Sequence, residues 1–223
     1  MGKLSVVATP IGNLEDITLR ALRTLSVASV IFCEDTRVTK KILSHNDIHT
    51  KVVRADSHRE RSSAELVLKH LEAGEHVVYV SDAGTPGVSD PGALLVRTVR
   101  ARMPEATIEA IPGASALTAA LSIAGMESET FRFIGFLPHK KGRETAFKHM
   151  NDSKEAVIFY ESPHRIMKAL QSLVTFCPEK HIIVLRELTK MFEEVQVGSA
   201  GEIHEYFTNN ADKVRGEFVV IVE

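Results

Sequence analysis

Short apolar runs rich in β-branched residues alternate with amphipathic stretches from one end of the chain to the other. LSVVAT (4–9), SVIFCED (29–35), KVVRAD (51–56), HVVYVSD (76–82) and ATIEAIP (106–112) predict five strands. FRFIGFL (131–137), EAVIFYES (155–162), HIIVLREL (181–188), EVQVG (194–198) and EFVVIVE (217–223) predict five more. Several are apolar on both faces, as strands covered by helices on each side are. Between them, Ile17, Ala21, Leu22 and Leu25 fall on one helical stripe. Ala64, Val67, Leu68 and Leu71 form another, and Ile166, Leu170, Leu173 and Val174 a third. Such alternation predicts an α/β protein with parallel or mixed sheets rather than a sandwich or a bundle.

The stretch IPGASALTAALSIAG (111–125) is rich in small residues, and an aromatic-rich strand follows it at 131. This predicts two α/β domains, 1–112 and 113–223, with 113–130 as the joining helix and loop. Ligands of open α/β sheets bind beyond the carboxyl ends of the strands. Polar and backbone-special residues gather there: Thr9-Pro10-Ile11-Gly12-Asn13 ahead of a helix near Glu15, Glu34-Asp35-Thr36-Arg37, and Ser81 to Gly87. Pro112 to Ala116, Glu161 to Arg165, and Arg186 to Lys190 complete the set.

Composition narrows the class. The 223 residues carry 27 basic and 29 acidic side chains, a net charge of −2, so any RNA contact must come from local basic clusters. No stretch reaches the ~18–20 apolar residues of a membrane span. The N-terminus enters a strand almost at once, without the apolar segment and cleavage site of a signal peptide. Cys33 and Cys177 lie in apolar surroundings and read as two buried thiols in a reducing cytoplasm. His45 and His49 are spaced like a helical metal pair, yet they flank a turn and lack a third ligand, so no metal site is expected.

The segment SDAGTPGVSDPG (81–92) specifies more than a turn. It matches neither G-x-G-x-x-G nor a Walker A loop, and Pro86 and Pro91 remove backbone donors that a phosphate cradle would use. Its glycines allow main chain to approach a flat or zwitterionic ligand, with Asp82 and Asp90 as acceptors for hydroxyl or ammonium groups. The alternative is a conformationally demanding loop in which Asp90 caps the next helix ahead of Pro91.

TPIGN (9–13), EDTR (34–37), SDAGTPGVSDPG (81–92), IPGASA (111–116), GFLP (135–138), FYESPHR (159–165), RELTK (186–190) and RGEFVV (215–220) occur in order along nearly the whole chain. This series resembles the bacterial 16S rRNA ribose 2′-O-methyltransferases, which modify a decoding-region cytidine. They belong to the tetrapyrrole methylase superfamily, the class III S-adenosylmethionine-dependent methyltransferases. The resemblance implies two α/β domains with S-adenosyl-L-methionine in the cleft between them, and a homodimer. It also implies cofactor contacts at Pro10, Gly12, Asp82, Ala83, Gly84, Thr85, Pro86, Val88, Ser115, Ala116, Phe159, Tyr160, Glu161, Leu188 and Thr189. Many members continue past the strand matching EFVVIVE, where this sequence ends, and the stretch Asp56 to Arg61 departs from their pattern.

Methyl transfer from a sulfonium to a hydroxyl needs alignment, exclusion of water and a proton acceptor. Glu34, Asp35, Glu161 and Glu187 are the candidates for that acceptor. Each could instead cap a helix or pair with Arg37, Arg165 or Arg186. RNA phosphates would meet Arg37, Lys40 and Lys41, the loop with His139, Lys140, Lys141 and Arg143, and His164, Arg165 and Lys190. A further basic group comprises Arg54, His58, Arg59 and Arg61. The competing readings are a methylase for a small molecule or a protein side chain, and a non-catalytic nucleoside-binding protein.

Overall fold

A computed structural model describes residues 2–55, 60–90 and 92–223, with 60–62 described by backbone alone. The expectations for Asp56, His58, Arg59, Pro91 and the Arg61 side chain lie outside the described residues. The chain divides into two compact units, residues 1–115 and 116–223.

Unit 1 holds β1 (Lys3–Val7), β2 (Val30–Cys33), β3 (Val52–Arg54), β4 (His76–Val80) and β5 (Thr107–Ile111). Its helices are α1 (Leu19–Val27), α2 (Thr36–His45), α3 (Glu60–Glu72) and α4 (Gly92–Arg102). The strands form one sheet in the order β3-β2-β4-β1-β5, every pairing parallel. Successive β4 residues face opposite layers, as the two-residue period of a strand demands. Val78 and Val80 pack with Ala21, Leu25 and Leu43 on one side. Val77 and Tyr79 pack with Val67, Leu71, Leu95 and Val99 on the other.

Unit 2 begins with α5 (Ala116–Ala124) and continues with β6 (Phe131–Phe136), α6 (Arg143–Asp152), β7 (Ala156–Glu161), α7 (Ile166–Phe176) and β8 (His181–Arg186). It closes with β9 (Glu194–Ser199), α8 (Ala200–Asn209) and β10 (Phe218–Val222). The sheet order is β6-β7-β10-β8-β9, with β6–β7 parallel and the other pairs antiparallel. Phe147, Leu170, Leu173, Ile203 and Phe207 pack against Phe159, Val184 and Val220 on one sheet face. Both cysteines are free and buried. Among the described residues, no helix is long and apolar enough to cross a membrane.

One local expectation is corrected, and the turn expected between His45 and His49 is present. The helix foreseen near Glu15 starts at Leu19: Asn13 accepts from the Glu15 N–H and starts a short 3-10 turn, and Thr18 then caps α1 by accepting from the Ala21 N–H at 3.0 Å. His45 closes α2, whereas His49 lies beyond it and faces Asp47 at 3.1 Å, so the two histidines share no helix.

Candidate active site

The strand order of unit 1 brings the carboxyl ends of β2, β4, β1 and β5 side by side, and short hydrogen bonds stitch the loops that follow them. Thr9, after β1, and Gly84, after β4, exchange two main-chain hydrogen bonds of 3.0 Å. The buried Thr9 hydroxyl donates to the Ser81 carbonyl, and the buried Ser81 hydroxyl donates to the carbonyls of Ala83 and Gly84. Thr85 donates its hydroxyl to the Ala114 carbonyl at 3.0 Å, joining the loop after β5. Gly84 has φ +75°, and a Cβ there would stand 3.0 Å from Ile11 and 3.4 Å from the Ala114 carbonyl. The result is a shelf of peptide backbone on which Gly12, Ala83, Gly87, Val88 and Gly113 are exposed, while Pro10, Gly84 and Pro86 are buried beneath.

Asp90 is structural. Its two oxygens accept from the Gly87 N–H at 2.6 Å and the Gly92 N–H at 2.7 Å, folding the loop back onto the start of α4. The acceptor role foreseen for Asp90 is thereby replaced by the capping alternative. Asp82 accepts from the Asp35 N–H at 2.8 Å and ties the loop after β4 to the end of β2.

The four carboxylates have different surroundings. Asp35 caps α2 through the Arg37 N–H at 2.8 Å, and the Arg37 guanidinium beside it holds its carboxyl down at about 2. Glu161, wholly buried, accepts from Arg165 at 2.6 and 2.9 Å, from the Ser162 N–H, and from Arg143 at 3.4 Å. Glu187 takes Lys190 at 2.7 Å and the Glu217 N–H at 3.0 Å. Glu34 is half-buried just past β2, and burial, followed by the charges of Asp82 and Asp90, raises its pKa to about 7.

In unit 2, Phe159 and Glu161 are buried, and Tyr160 packs edge-on against Phe133 and Phe136. Leu188 is buried, and Glu187 and Thr189 on either side of it take φ of 53° and 66°. Left-handed backbone in a β-branched residue costs on the order of 1–3 kcal/mol and clusters at ligand sites. Ser115 and Ala116 are half-buried.

The basic residues divide into two groups. Lys40, Lys41, Lys140, Lys141 and His164 are exposed, as is Arg37, which reaches back to Asp35. Arg143, Arg165 and Lys190 are engaged inside unit 2. Arg143 is 8% exposed and lies over the Phe147 ring, Arg165 also donates to the Leu137 carbonyl, and Lys190 bridges Glu187 and Glu217. Arg186 pairs with Glu194 at 3.7 Å, not with Glu187. Tyr79, whose hydroxyl donates to Asp90 at 3.4 Å, is the contact to this loop that the sequence reading missed; its one signal is a hydroxyl within an apolar run.

Comparison with known proteins agrees with this architecture. Residues 3–204 match the family model of the tetrapyrrole (corrin/porphyrin) methylases. The chain belongs to that family. Within it, the chain is similar to proteins named ribosomal RNA small subunit methyltransferase I. The Neisseria meningitidis serogroup B protein is 45% identical over 99% of this chain and 76% of its own length. The Halalkalibacterium halodurans protein is 44% identical over 100% of this chain and 76% of its own length. Among solved structures, the methyltransferase CobJ superposes with TM-score 0.72 at 23% identity, covering 100% of this chain and 94% of that one. The Thermus thermophilus uroporphyrin-III C-methyltransferase complexed with S-adenosylhomocysteine gives 0.68 at 19% identity, covering 99% and 97%.

Proposed function

We propose that this chain transfers the methyl group of S-adenosyl-L-methionine to the 2′-hydroxyl of a cytidine ribose in the decoding region of 16S rRNA. One observation carries the reading: bare backbone loops stitched at the carboxyl edge of unit 1, in a chain 45% identical to a protein named for small-subunit rRNA methylation. The S-adenosylhomocysteine held by the Thermus thermophilus relative supports the cofactor class. Exposed main chain at Gly87 and Gly113 suits the flat adenosine and zwitterionic methionine groups, because glycine places no side chain between backbone and ligand. The resemblance also assigns cofactor contacts to Tyr160, Leu188 and Thr189 of unit 2. The substrate is the small subunit or its rRNA, and the resemblance favours a homodimer working in the cytoplasm. A tetrapyrrole substrate is the weaker reading, since identity to CobJ is 23%.

Alignment of oxygen, methyl carbon and sulfur supplies on the order of 7–11 kcal/mol to such a transfer. The test is to incubate the protein and labelled cofactor with small subunits from a strain lacking the gene, then map the modified nucleotide by mass spectrometry. One labelled cytidine ribose in the decoding region is expected; label on a base, or none in the rRNA, contradicts the reading.

The exposed lysines give a second expectation. Reversing Lys40, Lys41, Lys140 and Lys141 to glutamate should raise the KM for small subunits by roughly tenfold or more at moderate salt, with cofactor affinity unchanged. Steady-state methylation at varied subunit concentration and calorimetry on the same preparation read the two quantities; an unchanged KM would make these residues ordinary solvated surface.

A further inference from the structure

The ribose-methylation reading requires a group to take the hydroxyl proton, and geometry reduces four carboxylates to one. Asp35, Glu161 and Glu187 each accept from a neighbouring Arg or Lys and from a backbone N–H. Glu34 has no Lys, Arg or His partner among the described residues. Its position is nonetheless fixed. The carboxylate of Asp82, the first residue of the glycine loop, accepts at 2.8 Å from the N–H of Asp35, the residue that follows Glu34. That bond holds the segment carrying Glu34 against the glycine loop, on the edge that carries the stitched backbone shelf. The groups that act on it or sense it are acids and neutral side chains: Asp82 and Asp90 from the loop after β4, Tyr79 on β4, and Cys33 at the end of β2.

We propose that Glu34 is the proton acceptor of methyl transfer, an assignment that rests on the ribose-methylation reading. The ribose oxygen forms its bond to the methyl carbon as the carbon–sulfur bond breaks. The bonding pair goes to sulfur and leaves neutral S-adenosylhomocysteine. The hydroxyl proton passes to the Glu34 carboxylate and from there to water. Half-burial beside Asp82 and Asp90 makes Glu34 a stronger base than a solvated carboxylate, while its partial exposure keeps it within reach of substrate. A base with a pKa of about 7 is half-ionised at neutral pH, so the rate rises with pH and levels off about one unit higher.

The test is single-turnover methylation of small subunits by the wild-type protein and by Glu34→Gln, from pH 5.5 to 9. Gln keeps the shape of Glu and leaves the Asp35 N–H to Asp82 hydrogen bond in place, so the loop and cofactor affinity should persist. We expect Glu34→Gln to bind S-adenosyl-L-methionine within about threefold of wild type yet transfer methyl about 10²–10⁴-fold more slowly, with the pH limb near 7 lost. Glu34→Asp, which withdraws the base by one methylene, should fall between. A wild-type rate that is flat from pH 5.5 to 9, or a Glu34→Gln rate within threefold of wild type, overturns the assignment. Absence of any methylation by the wild-type protein that still binds cofactor overturns instead the substrate reading beneath it.

Discussion

Gly84→Val should raise the dissociation constant for S-adenosyl-L-methionine by more than about 100-fold, roughly 2.7 kcal/mol or more. Gly84 combines φ +75° with contacts that leave no room for a side chain: its Cβ would meet Ile11 at 3.0 Å and the Ala114 carbonyl at 3.4 Å. Its N–H and C=O are both committed to Thr9. Valine would therefore open the bridge that joins the loops after β1 and β4 and displace the loop after β5. Backbone strain of about 1–3 kcal/mol would also lower the melting temperature by several degrees. A control separates the two effects. Gly74 has φ +78° with nothing within 4 Å of its Cβ, and it precedes β4 at the opposite end from the loop. Gly74→Ala should carry comparable strain and leave cofactor affinity unchanged. Calorimetric titration of both variants decides the matter; near-normal affinity in Gly84→Val would mean that the loop does not form the cofactor shelf.

Glu161→Ala should destabilise unit 2 by about 3–5 kcal/mol, because it strands buried cations. Glu161 is wholly buried between Arg143, with 9% of its side chain exposed, and Arg165. Arg143 already has its Nε and Nη2 buried without a hydrogen-bond partner among the described residues. Removing Glu161 takes away its one anion among the described residues, and burial of an unpaired charge is the costly half of a buried ion pair. For a chain of this size, the melting temperature should fall by about 10 °C. Adding Arg143→Met should recover part of the loss, since it replaces the orphaned guanidinium with an apolar side chain over Phe147. Thermal unfolding by circular dichroism would follow both variants. A Glu161→Ala melting temperature within 2 °C of wild type would show that the pair carries no such weight.

The architecture was legible because it depends on local pattern. All ten expected strands are present, and most end one or two residues earlier than expected at the carboxyl side. The reason is physical: Thr9, Asp35 and Asp82 continue the apolar runs in sequence but turn their hydrogen bonds to loop and helix partners. The motif series also directed attention to the loops after β1, β4 and β5, which hydrogen bonds join in the structure. Partner choice was legible only between near neighbours, as in the Asp35–Arg37 and Glu161–Arg165 pairs. Glu161 and Arg143 read separately, one as a candidate base and one as an RNA contact, because residues 18 apart reveal no ion pair until β7 and α6 pack. Likewise Glu187 takes Lys190 rather than its neighbour Arg186, whose guanidinium turns to Glu194 and to the Phe192 and Lys213 carbonyls. The isolation of Glu34 from every described cation is a property of three dimensions alone.

In the proposed function, exposed main chain at the carboxyl edge of unit 1 receives the sulfonium nucleoside. Amide hydrogen exchange with and without saturating S-adenosylhomocysteine tests it most directly. Protection should rise at Ile11–Gly12, Ala83–Val88 and Gly113–Ser115, while the turn at Gly74 stays unchanged. Ligand binding that left those three segments unprotected, or that protected the Gly74 end of the sheet instead, would contradict the account.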